Sequence, residues 1–202
     1  EENNVKTILH CYAVEALMDK NTIIGVITES KSGRKAILAK RVIDCTGDAD
    51  ICYLAGAPYS VLKNKDRMAT TTVLNCSGVD KKRFLEYTEK NKKTYKDWGD
   101  DWVTPNVNKE QNISSPYLEE EFTKAKKDGL ISKDSNINGT WSSITDAGEA
   151  TNLNLVHMKG YDSLDVNDLT KAEIEGRKQC LEAITAMKAN LPGFENAKLR
   201  NF

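Results

Sequence analysis

The sequence has no GxGxxG turn and no GxxxxGK[ST] loop between Glu1 and Phe202, so neither common glycine-rich phosphate cradle is encoded in it. It has no apolar run near the roughly 18 residues that a bilayer-crossing helix needs, and no basic-then-apolar leader at its start. It has no excess of either charge: 29 Lys and Arg stand against 30 Asp and Glu, mixed along the chain. That balance supplies no field to draw nucleic acid, acidic lipid or a polyanionic substrate. It also has no CxxC pair. The 5 cysteines (Cys11, Cys45, Cys52, Cys76 and Cys180) are an odd number, which argues against a disulfide framework and a zinc knuckle and makes a reducing cytoplasm the expected setting. Neither a metal site nor a membrane or nucleic-acid partner is expected.

What is present suffices for one sizeable domain, or a small lobe and a larger one, in 202 residues. Ile8, His10, Tyr12, Val14 and Ala16 fall at period-two spacing, one face of a strand within Ile8 to Leu17. Asp19-Lys20-Asn21 is a turn signal, Thr22 to Glu29 a β-branched strand, Ser32-Gly33 a second hairpin turn and Lys35 to Ala39 a third strand. Val42 to Cys45 reads as a short buried strand that runs straight into Thr46-Gly47-Asp48.

A second lobe begins near Ala57-Pro58. Ala69 to Leu74 is a strand by β-branched content, and Asp80 precedes a helix with Phe84, Leu85 and Tyr87 on one side. Glu89 to Asn112 is mostly polar, a surface excursion with Trp98, Trp102 and Pro105 scattered through it. Ser115-Pro116 sets up a helix over Tyr117 to Lys127 that Gly129 stops. Strands follow at Thr140 to Thr145 and Asn152 to Met158. The last helix opens on the capping box Thr170-Lys171-Ala172-Glu173, carries Ile174, Leu181, Ile184 and Met187 at helical spacing, and ends at Pro192-Gly193.

The most informative stretch is Arg41-Val42-Ile43-Asp44-Cys45-Thr46-Gly47-Asp48-Ala49-Asp50, followed by Leu54-Ala55-Gly56-Ala57-Pro58. An apolar strand ending in a tight Thr-Gly turn lets backbone lie close to a dinucleotide where a side chain would block it. With three strands before it, this stretch resembles the FAD-dependent oxidoreductase family related to the glutathione-reductase and fumarate-reductase flavoproteins. Asp168-Leu169-Thr170 and Leu191-Pro192-Gly193-Phe194-Glu195, which bracket the last helix, resemble the family's late substrate-domain helix, while the middle of the chain matches loosely.

The resemblance implies a fold of α/β and α+β type: the end of a dinucleotide-binding domain with a three-stranded antiparallel β insert over 1–57, then a mixed, substrate-facing α+β domain over 58–202. It implies FAD as cofactor and hydride or electron transfer between the flavin and a small organic substrate. It further implies that the chain is an internal piece of a longer protein, inactive alone, whose missing N- and C-terminal segments supply the phosphate turn and close the flavin site. Two rivals stay open on the residues: a non-catalytic binding or interaction domain on a flavoprotein-like scaffold, and an NAD-dependent reductase, disfavoured because the Thr-Gly strand lacks its own glycine-rich turn.

The resemblance lays Thr46, Gly47 and Asp48 against the diphosphate or ribose, and the strand backbone at Ala13 and Val14 beside the adenine; an ordinary turn and a core valine are the plain readings. His157 sits in a segment whose alternation puts Asn152 and Asn154 on one face and Leu153, Leu155 and His157 on the other. A histidine near a flavin can pass protons or steady an oxyanion, though a lone His is commonly just packed. Arg177 suits carboxylate recognition, and equally an ion pair with Glu173 one turn back. His10 reads as structural, Cys45 and Cys52 as small buried fillers, and Glu119-Glu120-Glu121 as a solvated helix face.

Overall fold

Two turns fold the start of the chain into an antiparallel sheet of order β1-β2-β3. Lys20, left-handed at φ 52°, closes the two-residue loop between β1 (Tyr12–Asp19) and β2 (Thr22–Glu29), where Asp19 faces Thr22. Gly33, at φ 88°, gives its N–H to Ser30 O at 2.9 Å and turns the chain into β3 (Lys35–Leu38). The first strand starts later than its alternation suggests, because His10 at φ 55° breaks the extended run. The computed structural model describes residues 3, 5–63, 66–90, 106–107, 110–112, 119–140 and 143–202. These divide into two compact units, Glu1–Leu62 and Lys63–Phe202.

In the first unit the expected strand over Val42 to Cys45 is absent: the segment has no strand partner among the described residues, and Ile43 is 85% exposed. A parallel strand of a dinucleotide-binding sheet is stable only with ladder hydrogen bonds and cover on its faces. Here neither is supplied, and Cys45 and Cys52, expected to be buried, are exposed. The core of this unit among the described residues is thin, with Ala16 and Ile51 as its buried apolar side chains. Helix α1 (Asp50–Leu54) packs against β1.

Close backbone approach fixes one position in the sheet. A Cβ on Gly25 would lie 2.3 Å from Ile37 O, against rigid backbone. Gly25→Ala should therefore part β2 from β3 at a cost of about 1–3 kcal/mol. Amide exchange at residues 35–38 checks this, with faster exchange in the variant as the expected result.

The second unit is a seven-stranded sheet of order β10-β4-β9-β8-β6-β5, with β7 also paired to β9. Its elements in chain order are β4 (Thr70–Ser77), α2 (Lys81–Lys90), β5 (Asn106–Val107), β6 (Glu110–Asn112), α3 (Glu119–Lys127), β7 (Ile137–Thr140), β8 (Ser143–Thr145), β9 (Ala150–Met158), α4 (Val166–Asn190) and β10 (Lys198–Asn201). The core gathers Leu74, Phe84, Phe122, Ile144, Leu153 and Met187 with their neighbours. Trp98, Trp102, Pro105 and the Ser115-Pro116 helix start lie outside the described residues. Gly129, at φ 71°, ends α3 as anticipated.

Helix α4 departs from its sequence reading in two ways. It starts a turn before Thr170, because the Asp165 carboxylate accepts from the Asn167 and Asp168 amides, each at 2.9 Å. Thr170 lies inside the helix, its hydroxyl donating back to Val166 O at 2.7 Å. Ile184 and Met187 are buried as expected, but Ile174 and Leu181 are 67% and 54% exposed. The positions that face the sheet must be small instead: a Cβ on Gly176 would lie 2.1 Å from Thr72 Oγ1 and 2.8 Å from Met158 Cε.

Candidate functional site

The Thr-Gly turn is organised by a residue that the sequence reading passed over. Asp44 Oδ1 accepts from the Thr46 amide at 3.0 Å and the Thr46 hydroxyl at 2.7 Å, and its Oδ2 accepts from the Cys52 amide at 2.9 Å. The Thr46 Oγ1 accepts in turn from the Asp50 amide at 2.8 Å. An aspartate bonding two residues ahead is an Asx turn, so Asp-x-Thr just before a glycine was the available signal. The Thr46 and Cys52 amides, with the Thr46 hydroxyl, hold the Asp44 carboxyl well below the ordinary carboxylate range. A hydrogen bond with the Asp44 carboxylate in turn raises the Cys52 thiol, which is no thiolate nucleophile.

Within this loop the Thr46 hydroxyl is thus engaged inward. What stays open is backbone: Gly47 takes φ 98° and has nothing within 4 Å of where a Cβ would sit, and Ala49 at φ 59° is left-handed too. Asp48 is exposed between them. Elsewhere in the same unit, Val14 lines a cleft of about 1360 Å³ whose wall also includes Lys6, His10, Tyr12, Lys31 and Lys35. Val14 is thereby a surface residue, 37% exposed, rather than a core valine. Ala13 lies beside it, exposed and paired with Thr28 of β2. Thr46, Gly47 and Asp48 are not among the residues that line the cleft.

In the second unit, β9 does not alternate as its sequence suggests. Its partners on β4 are Cys76 for Ala150, Leu74 for Leu153, Thr72 for Val156 and Thr71 for His157, with a register shift in each of the first two intervals. Each shift inserts an extra residue in β9, and each bulge resets which face the following side chains take. Cross-strand partners share a face. Thr72 lies against Gly176 of α4, so Thr71 and His157 point away from α4. His157 is therefore on the opposite side of the sheet from Val156 and Met158, half-buried, with exposed Thr71 beside it.

Arg177 makes the ion pair with Glu173 that its spacing allows. Its Nε donates to Glu173 Oε1 at 2.6 Å, and its guanidinium lies over the Phe202 ring, 5.0 Å from the centroid. It sits on the exposed side of α4, whereas His157 faces away from that helix, so the fold does not bring the two together. Glu121 corrects the solvated reading of the acidic run: it is buried and accepts from the Tyr87 hydroxyl, whose ionisation burial pushes up. Burial likewise pushes the Cys76 and Cys180 thiols up to about 12. Among the described residues, no three His, Cys, Asp or Glu side chains are gathered so as to hold a metal ion, and no helix is long and apolar enough to cross a membrane.

A family model described as FAD dependent oxidoreductase matches residues 1–202. No curated protein and no solved structure matches the chain.

Proposed function

Because the chain belongs to the FAD dependent oxidoreductase family and its cofactor is FAD, we propose that residues 1–57 are the end of an FAD-binding domain and 58–202 a substrate-facing domain of an oxidoreductase acting on a small organic molecule. The missing phosphate cradle is then supplied by other segments of a longer parent chain in a reducing cytoplasm. The observation that carries this reading is the Asp44-held turn: a loop fixed by four hydrogen bonds that leaves the Gly47 backbone open. Open backbone held in one conformation is what close approach to a diphosphate or ribose requires.

The residues fit the cofactor at two places. Gly47, with Thr46 and Asp48 framing it, would offer backbone N–H groups to the polar middle of the dinucleotide. The Ala13–Val14 edge, beside a cleft that combines apolar Val14 and Tyr12 with Lys6, Lys31 and Lys35, would take the adenosine end. The isoalloxazine supplies the hydride or electron transfer when bound. The protein's own part is placement and proton handling. His157 holds or releases a proton at its imidazole on the face of the sheet turned from α4, where Thr71 is also presented. Arg177, half exposed beside Glu173 and Phe202, would meet a substrate carboxylate with the rest of its guanidinium.

Gly47→Val tests the placement. A β-branched residue at φ 98° is strained by about 1–3 kcal/mol, which the loop relieves by leaving its bound shape. FAD affinity, followed by flavin fluorescence on titration, should fall about ten- to hundredfold. Equal affinity in the variant and the parent would remove the turn from the cofactor site, and no FAD uptake by the parent would leave a binding domain on a flavoprotein-like scaffold.

A further inference from the structure

We propose that Asn136, anchored by Gln179, is the positioning residue for His157; the proposal rests on His157 being the proton-handling group argued above. His157 sits one residue from the end of β9, where a strand frays unless its last groups are held. Asn136 holds it from both ends of the residue. The His157 N–H donates to Asn136 O at 3.2 Å, and Asn136 Nδ2 donates to His157 O at 2.6 Å. The backbone on each side of the imidazole-bearing carbon is therefore tied to one asparagine. The direction of a strand side chain follows its backbone, so this clasp sets where the imidazole points.

The clasp has its own support. The Asn136 N–H donates to Gln179 Oε1 at 2.9 Å, and Gln179 Nε2 donates to Glu175 Oε1 at 3.0 Å. Gln179 is 6% exposed, on the buried side of α4. The neighbouring Ser135 donates its hydroxyl to Glu182, also on α4, and its carbonyl accepts from Lys126 Nζ of α3 at 2.5 Å. A buried glutamine that spends both ends of its amide on one such chain makes a rigid post. Through it, the helix on one face of the sheet governs a histidine that points out of the other.

The strands paired at His157 carry one ionisable side chain between them. Its neighbours β4 and β7 contribute only the Cys76 thiol, buried on the core side, and β9 contributes no other titratable group. Glu175 and Glu182 belong to α4, on the far face.

The test is the midpoint potential of the FAD-loaded full chain as a function of pH. A group whose proton affinity changes with flavin reduction bends that plot at its own pKa, because coupling between the two sites is reciprocal. The parent should show a bend that His157→Gln removes. Asn136→Ala should displace or abolish the bend while FAD affinity stays within about twofold of the parent. Gln179→Met, close to glutamine in size, should act in the same direction and serves if Asn136→Ala fails to fold. No bend in the parent, no FAD uptake by it, or a bend that survives His157→Gln overturns the role of His157 and this proposal with it. A bend that His157→Gln removes but that neither Asn136→Ala nor Gln179→Met moves overturns the positioning role alone.

Discussion

Asp44→Ala should lower FAD affinity on the order of tenfold or more while leaving the second unit as stable as before. The carboxylate is the centre of the loop: without it the Thr46 amide and hydroxyl and the Cys52 amide all lose their acceptor. A left-handed Gly47 and a left-handed Ala49, one residue apart, are then one conformation among many. If the binding shape falls to about a tenth of the population, apparent affinity falls by that factor with no contact to ligand removed. The acid dependence has a definite sign. The folded carboxyl titrates below its unfolded value of about 4, so its contribution is complete above that pH and is lost as pH falls through the folded pKa. Chemical shifts of the Thr46 and Cys52 amides should move together only well below about pH 4, as the folded carboxyl takes its proton. Asp44→Asn should show no such transition. Amides that report it independently of Asp44, or an affinity in Asp44→Ala equal to the parent's, would count against the loop as the organised element.

Gly176→Val should cost the second unit about 3 kcal/mol, at the upper end of what overpacking costs. The reason is where the new atoms go. The first carbon alone would lie 2.1 Å from Thr72 Oγ1 and 3.0 Å from Thr72 Cβ, and Thr72 is a β-branched side chain 6% exposed with no room to swing aside. Helix α4 must back away from β4, opening the contact of Cys180 Sγ with Thr72 O at 3.7 Å. Urea unfolding measures the loss, and the double variant Thr72→Ala with Gly176→Val should recover a good part of it. Full additivity of the two single changes would place the clash somewhere other than this pair.

How much of this was legible in the sequence depends on the range of the interaction that decides each feature. Thr22 to Glu29 was readable to the residue, since a β-branched run between turn signals needs nothing beyond itself. The Lys20 and Gly33 turns and the Gly129 stop were likewise local. Val42 to Cys45 misled because its apolar pattern describes burial that a sheet must provide, and no described strand lies beside it. On α4, periodicity identified a helix and put Ile184 and Met187 correctly on its buried face, but it added Ile174 and Leu181 wrongly. Close packing selects Gly176 and Ala183, which carry almost no hydrophobic signal.

The candidate site divides along the same line. Thr46 and Gly47 stood out, and Asp44, two residues earlier, announced itself only as an Asx turn. The face of His157 could not be read, because it depends on one extra residue between Leu153 and Val156 that only pairing with β4 reveals. Asn136 and Gln179 are 43 residues apart in sequence, and no local pattern joins them.

The two bulges in β9 have a consequence for length. From Ala150 to Val156 β9 advances six positions while β4 covers the same pairs in four, from Cys76 to Thr72. The surplus is slack taken up in the strand itself, and it makes β9 a phase-setting element: one residue more or fewer within it, rather than any substitution on it, is the change that would exchange the chemistry shown to the two sides of the sheet.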